Sequence, residues 1–148
     1  MISNIAVSDI DMILKECVNF FNESRYAKMA QFKPEKVRDT ITSVLRHPRG
    51  IGFVHREKRA FFLGMVDEHY FADIKYAYDL FVYVPPEHRG LGVGYRLLKK
   101  YVERAEELGA DEIYLGDIAD IDQETLFRIH EKLGLSYRSK VYSKVIGE

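Results

Sequence analysis

Three glycines alternate in the stretch Arg89-Gly90-Leu91-Gly92-Val93-Gly94. Glycine leaves the backbone bare and free to take left-handed turns, so N–H groups there can meet a ligand closely. Behind the turn, Leu97, Leu98, Tyr101, Val102, Ala105 and Leu108 recur at helical spacing. In front of it, Asp79–Val84 is rich in β-branched and aromatic residues and reads as a buried strand. Pro85 and Pro86 stop that strand, because neither can donate a ladder hydrogen bond. A glycine turn that opens a helix is an anion site: its first N–H groups lack partners, and the helix dipole adds partial positive charge. The chemistry expected here is the holding of a phosphorylated group.

The spacing excludes two familiar phosphate loops. G-x-G-x-x-G is absent, since Tyr95 follows Gly92 by three and Leu97 follows Gly94 by three. GxxxxGK[ST] is absent as well. No CxxC, HExxH or clustered His/Cys pattern supports a metal site.

At 148 residues the chain is expected to form one domain, residues 1–148. Its 47% hydrophobic content is ordinary for a packed core. A formal net charge of −1 argues against a general nucleic-acid or membrane surface. No apolar run approaches a bilayer span, and no signal-peptide pattern begins the chain. The single cysteine, Cys17, excludes an internal disulfide and fits a reducing cytoplasm. Ten Tyr and nine Phe with no Trp provide rings for a pocket as well as a core.

The elements that must position the turn follow from periodicity. Met1–Val7 is a weak edge strand. Ser8 or Asp9 caps a helix to about Asn22, with Ile10, Ile13, Leu14, Cys17, Val18 and Phe21 on one stripe. Cys17 on that stripe reads as a core thiol rather than a reactive one. Pro34 opens a second helix with Val37, Ile41, Val44 and Leu45 inward. These front helices either cap a substrate pocket or simply pack. Ile51–Arg56 and Ala60–Tyr70 form a hairpin, and Gly64 marks a bulge or a close backbone approach. A third strand covers about Lys75–Val84. After the glycine-turn helix, Glu112–Asp117 is a short strand and Gln123–Leu133 a helix. Leu135–Ile146 alternates loosely and reads as a final strand or strand pair. The order of elements predicts an α/β or α+β domain.

The segment Val84–Leu98, VPPEHRGLGVGYRLL, resembles the GNAT superfamily of acyl-CoA-dependent N-acyltransferases. The matching residues are Arg89, Gly92 and Gly94, preceded by Pro86, Glu87, Arg89 and Gly90. Downstream, IHEKLGL (Ile129–Leu135) is similar to the family's Leu-Tyr-Glu-Lys-x-Gly-Phe. The resemblance implies a mixed, mostly antiparallel sheet of six to seven strands flanked by about four helices. It implies acetyl-CoA or another acyl-CoA, with its pyrophosphate over the backbone N–H groups of Arg89, Gly90, Leu91, Gly92, Val93, Gly94 and Tyr95. Arg96, Lys99 and Lys100 lie within a turn of one another, and either meet the nucleotide's 3′-phosphate or form a solvated face. The strand before the turn is expected to splay from its neighbour, so that the cofactor's arm meets free backbone near Phe81–Val84. Val84 and Val82 belong to that stretch, and Val82 N–H is the expected oxyanion donor.

The same resemblance frames the proton work. Direct attack of a substrate amine on the thioester needs a base, and often an acid for the leaving thiolate. The family's usual acid is a tyrosine in the last helix. His130 stands there instead, and the competing role is a histidine satisfied by a local hydrogen bond. Tyr137 and Tyr142 are substitutes by chemistry. Asp79 is the candidate base, two residues before Phe81 and expected on the same face. A strand-end hydrogen bond or a contact to a substrate ammonium are its other readings, and Glu68 and His69 are alternatives. Tyr70, Phe71, Tyr76 and Tyr78 line an expected aromatic cleft, and Asp67, Glu68, Asp73 and Asp79 attract a cationic amine.

The expected function is therefore transfer of an acetyl group from acetyl-CoA to a primary amine on a small molecule. The other readings are an acyl-CoA-binding sensor or assembly module, and an unrelated nucleotide-binding domain. Homodimer formation is an expectation by analogy with the family.

Overall fold

The computed structural model describes residues 1–116, 123–138 and 141–147. Its elements run β1 (Ile2–Asn4), α1 (Ile10–Glu23), α2 (Pro34–Arg46), β2 (Gly50–His55), β3 (Ala60–Glu68), β4 (Lys75–Tyr83), α3 (Val93–Glu107), β5 (Glu112–Ile113) and α4 (Gln123–Lys132). The five strands form one sheet in chain order. The first three pairings are antiparallel, and β5 joins β4 in parallel.

Each face of the sheet carries its own core. On one face, Ile10, Ile13, Leu14 and Cys17 of α1 and Ile41 and Val44 of α2 pack on Val54, Phe61, Leu63 and Tyr83. On the other, Val93, Leu97, Leu98, Tyr101 and Ala105 of α3 pack on Ile51, Phe53, Phe62, Val66 and Ala77. Leu126, Ile129 and Leu133 place α4 on that second side. Strand alternation sends neighbouring residues to opposite faces, which is how Phe61 and Phe62 serve different cores. Phe62 stacks on Tyr101 with centroids 4.4 Å apart. Cys17 is buried, and its surroundings push the thiol up to about 12, as a core thiol requires.

Salt bridges tie α1 to the hairpin. Asp9 is buried and accepts from Arg56 at 2.7 and 2.8 Å and from the Ala6 N–H at 2.7 Å. Glu16 accepts from Arg59 at 2.7 Å.

Two expectations are corrected here. Among the described residues the sheet has five strands, fewer than the six or seven expected. Among the described residues of Leu135–Ile146 there is no strand. A strand needs a neighbour's edge for its N–H and C=O groups, and β5 offers a ladder of only two residues. Tyr137, Val141, Tyr142 and Ile146 are all exposed, so no core face holds that segment in register either.

Candidate active site

The bulge expected at Gly64 is present, and its extra residue is on the opposite strand. Leu63 pairs with Phe81 and Gly64 with Asp79, which leaves Leu80 unmatched. A Cβ at Gly64 would lie 2.8 Å from the Tyr78 carbonyl oxygen and from the Phe62 ring, so only glycine permits this approach.

The bulge changes which groups of β4 face the site. The carbonyls of Lys75 and Ala77 accept from the Asp111 and Tyr114 N–H groups, both at 2.8 Å, so the odd residues at the start of β4 face β5. The extra residue inverts that order. Phe81 and Tyr83 therefore point their backbone groups at β3, and Val82 turns its own toward β5. Without the bulge Val82 would have been spent on the β3 ladder. Side chains invert as well: Phe81 lies in the α1–α2 core, while Asp79 shares the α3 face with Gly64. The expectation that Asp79 and Phe81 share a face is thus overturned.

Among the described residues no strand pairs with Val82 on that side, because β4 and β5 part early. Their register covers only Tyr76–Glu112 and Ala77–Ile113. Two residues further on, the Gly116 N–H donates to the Asp79 carboxylate at 3.0 Å rather than to a β4 carbonyl. Asp79 is thus placed at the fork, where its side chain bridges the diverging strands.

Past the fork comes the glycine turn. Gly90 and Gly92 take φ of +83° and +80°, a region costly for any residue with a Cβ. Gly92 is the N-cap of α3 and has no side chain to cap it. The N–H groups of Val93, Gly94 and Tyr95 lie in the first turn, where no intrahelical partner exists. A Cβ at Gly90 would meet nothing within 4 Å, and one at Gly94 would make ordinary contacts with Val84 (3.6 Å) and Ile129 (3.8 Å). Gly94 is open to alanine on the protein side, and a larger side chain there extends toward Val84 and Ile129. The cradle fits an anionic group: bare donors and a dipole end around open space.

The two arginines of the turn have different tasks. Arg89 donates to the Val84 carbonyl at 2.8 Å and to the Glu23 carboxylate at 2.7 Å. Its guanidinium also lies 5.5 Å from the Tyr83 ring centroid. Arg89 thus clamps the turn to the end of β4 and to α1. Arg96 makes no ion pair among the described residues, and its guanidinium lies 3.7 Å from the position of a Gly92 Cβ. That charge borders the cradle.

His130 lies on α4 next to Ile129, whose side chain approaches Gly94. Burial lowers its imidazole below the ordinary histidine range. Lys132 of the same helix lies over the Tyr95 ring at 5.5 Å. α4 therefore borders the turn, with His130 on it. Tyr137 and Tyr142, the substitutes for an acid, are 68% and 86% exposed, which gives them no enclosed place for proton transfer.

These observations are joined by the family comparison. The model of the acetyltransferase (GNAT) family matches residues 14–135. The chain belongs to this family. That match takes in the bulge, the fork, the glycine turn and His130. Among solved structures, a putative acetyl transferase from Pyrococcus furiosus shares 23% identity at TM-score 0.70, covering 99% of each chain. An aminoglycoside antibiotic 6′-N-acetyltransferase from Acinetobacter haemolyticus shares 18% at TM-score 0.70, with 99% of each covered. A transcriptional regulator from Bacillus halodurans shares 16% at TM-score 0.78, again over 99% of each. No curated protein sequence matches the chain.

Sequence reasoning missed Glu23, which holds Arg89, and Leu80, which turns Val82. Neither carries a local signal: one pairing spans 66 positions, and the other depends on the register of β3.

Proposed function

We propose that this family member is an N-acetyltransferase that moves an acetyl group from acetyl-CoA to a primary amine of a small molecule. The observation that carries the reading is the fork: β4 and β5 part after Ala77 and Ile113, the bulge turns the Val82 backbone toward the β5 side, and the glycine turn follows β4 directly. The N–H groups from Gly90 to Tyr95 and the Arg96 guanidinium would hold the cofactor's phosphates. Arg89 supports the cradle through Val84 and Glu23. Acetyl-CoA, once bound, supplies a thioester whose acyl carbon is open to an amine.

The chain's own groups then divide the work. Val82 N–H is the donor available to an oxygen that gains negative charge, a contribution of several kcal/mol in a dry site (~3–4). The Asp79 carboxylate, on the face of β4 opposite Tyr76 and Tyr78, would take the attacking amine's proton through water at the fork. An imidazole nitrogen of His130 gives a proton to the departing sulfur as the C–S bond breaks and the C–N bond forms. Because burial lowers the His130 pKa, little imidazolium is present at neutral pH. The acid route is therefore strongest on the acidic side and fades as pH rises. Net charge supports a small-molecule partner over nucleic acid. No helix among the described residues is long and apolar enough to cross a membrane. A cytoplasmic setting rests on the lone cysteine.

Thiol release in single turnover, with acetyl-CoA and a panel of amines, tests the reading. Release with at least one amine, together with thermal stabilisation by acetyl-CoA, is the expected result. A second reading, an acyl-CoA-binding module with little chemistry, draws on histidine at the acid position. Stabilisation by acetyl-CoA with no release for any amine would select it. Stabilisation by ATP or NAD but not by CoA would sink both.

A further inference from the structure

The aromatic cluster beside the fork is larger than the cleft expected from sequence. Tyr76 lies 5.8 Å from Tyr78, 5.8 Å from Tyr114 of the β5 side and 6.0 Å from His69, centroid to centroid. Tyr76 pairs across the sheet with Asp67 on β3 and with Glu112 on β5. Cross-strand partners share a face, so one row reads carboxylate, tyrosine, carboxylate. Tyr78 lies along the strand from Tyr76 on the same face, toward the fork. Both tyrosines are half-buried and Tyr114 is 41% exposed.

The charges of this floor are unbalanced. Burial first, and then the Asp67 carboxylate, raise the Tyr78 pKa, and a hydrogen bond to Glu112 raises that of Tyr114, so both carboxylates reach the rings. Among the described residues neither enters an ion pair, whereas Glu68 on the adjacent position pairs with Arg49 at 3.3 Å. The charge of Arg138 acts on Tyr114, at the edge of the cluster. Electron-rich ring faces attract cations, and two carboxylates flank the central ring. Strands lie ~4.8 Å apart, so the two carboxylate-bearing strands are about 10 Å apart.

We propose that this row is the acceptor-side floor and that it takes a linear alkyl diammonium, with one charged end at each carboxylate and its methylenes on Tyr76. Such a chain lies across β4 beside the fork. Binding at the floor stands by itself; its use as the acceptor site rests on the acetyl-transfer reading above.

Binding is measured by calorimetry on the whole protein with putrescine and spermidine. Butylamine (one charge) and kanamycin (a branched amino sugar) serve as comparisons. The expected order is diamines at least tenfold tighter than butylamine, with kanamycin weaker than both diamines. Asp67→Asn and Glu112→Gln each weaken diamine binding severalfold, and Tyr76→Leu at least tenfold, while stabilisation by acetyl-CoA is unchanged. Asp67 and Glu112 are exposed, so their variants decide the matter even if Tyr76→Leu unfolds. Diamine affinity equal to that of butylamine, preference for kanamycin, or indifference to the two carboxylate variants overturns the proposal. Loss of the acetyl-CoA effect alone sinks the transferase reading and leaves the floor standing.

Discussion

Asp79 has a structural task that competes with a chemical one. Asp79 accepts the Gly116 N–H at 3.0 Å and so helps to hold the fork. Asparagine keeps an acceptor there but removes the base. Asp79→Asn is expected to keep the melting temperature and lose about 10²-fold or more in kcat. Turnover near wild type in Asp79→Asn, with loss only in Asp79→Ala, would leave the residue its strand-end role alone. For His130, burial disfavours the imidazolium. His130→Phe should lower kcat at least tenfold with little change in the KM for acetyl-CoA. In the wild type, kcat should fall as pH rises through a value below the ordinary ~6.5, and the variant should lack that limb. A wild-type kcat that instead climbs through the same region would reverse the assignment, making neutral His130 the base.

At the scale of elements, the glycine turn hangs between α3 and α1. The Arg89–Glu23 pair is only partly exposed, at 28% and 29%. Screening keeps the worth of such a pair to about 1 kcal/mol or less. Its larger effect is on the cradle, since Arg89 also holds the Val84 carbonyl. Glu23→Ala is expected to raise the KM for acetyl-CoA severalfold while moving the melting temperature by only a few degrees; an unchanged KM would reduce the pair to a surface contact. The two inner glycines separate by the same reasoning. Gly92→Val puts a Cβ at φ +80° and costs roughly 1–2 kcal/mol of stability. Gly94→Val has no such backbone penalty but extends toward Val84 and Ile129, so its melting temperature is read beside its CoA affinity. Both should abolish CoA binding, and a folded Gly94→Val protein with wild-type CoA affinity would remove the phosphate cradle.

For the whole molecule, two histidines couple stability to pH. His55 is buried on β2, and its pKa is lowered by burial, by the amino terminus and by Arg96. His130 is lowered by burial. In both cases the unfolded chain binds protons more readily than the folded one. Stability is therefore full above the unfolded value of ~6.5 and is lost as pH falls below it. Asp9 acts in the same direction at lower pH. Its pKa is lowered chiefly by Arg56, so its contribution is present above the unfolded ~3.9 and lost as pH falls through the folded value. Urea melts at pH 7.5, 6 and 5 should show falling midpoints, and His55→Gln should flatten the slope between 6.5 and 5. A midpoint independent of pH over that range would contradict the burial of both rings.

Much of this protein is set by local rules that a sequence displays. Apolar spacing defined α1 to α3, because a helix face must be buried wherever it ends up. The proline pair ended β4, and alternating glycines marked an N-terminal anion site. Those features depend on neighbours a few residues apart, so position in the chain is enough. What only the tertiary structure decided depends on pairing between distant strands. Leu80 is an ordinary strand residue until β3 lies beside it and leaves it unmatched. That one extra residue turns the Val82 N–H to the fork and sends Asp79 to the face opposite Phe81. The end of the sheet was likewise undecided in Leu135–Ile146, since alternation without a receiving edge does not make a strand. Arg89 read as part of a phosphate turn, and its side chain proved to be committed to Glu23, 66 positions away. Backbone spacing is local and therefore legible; register and side-chain partners are chosen only when the chain closes on itself.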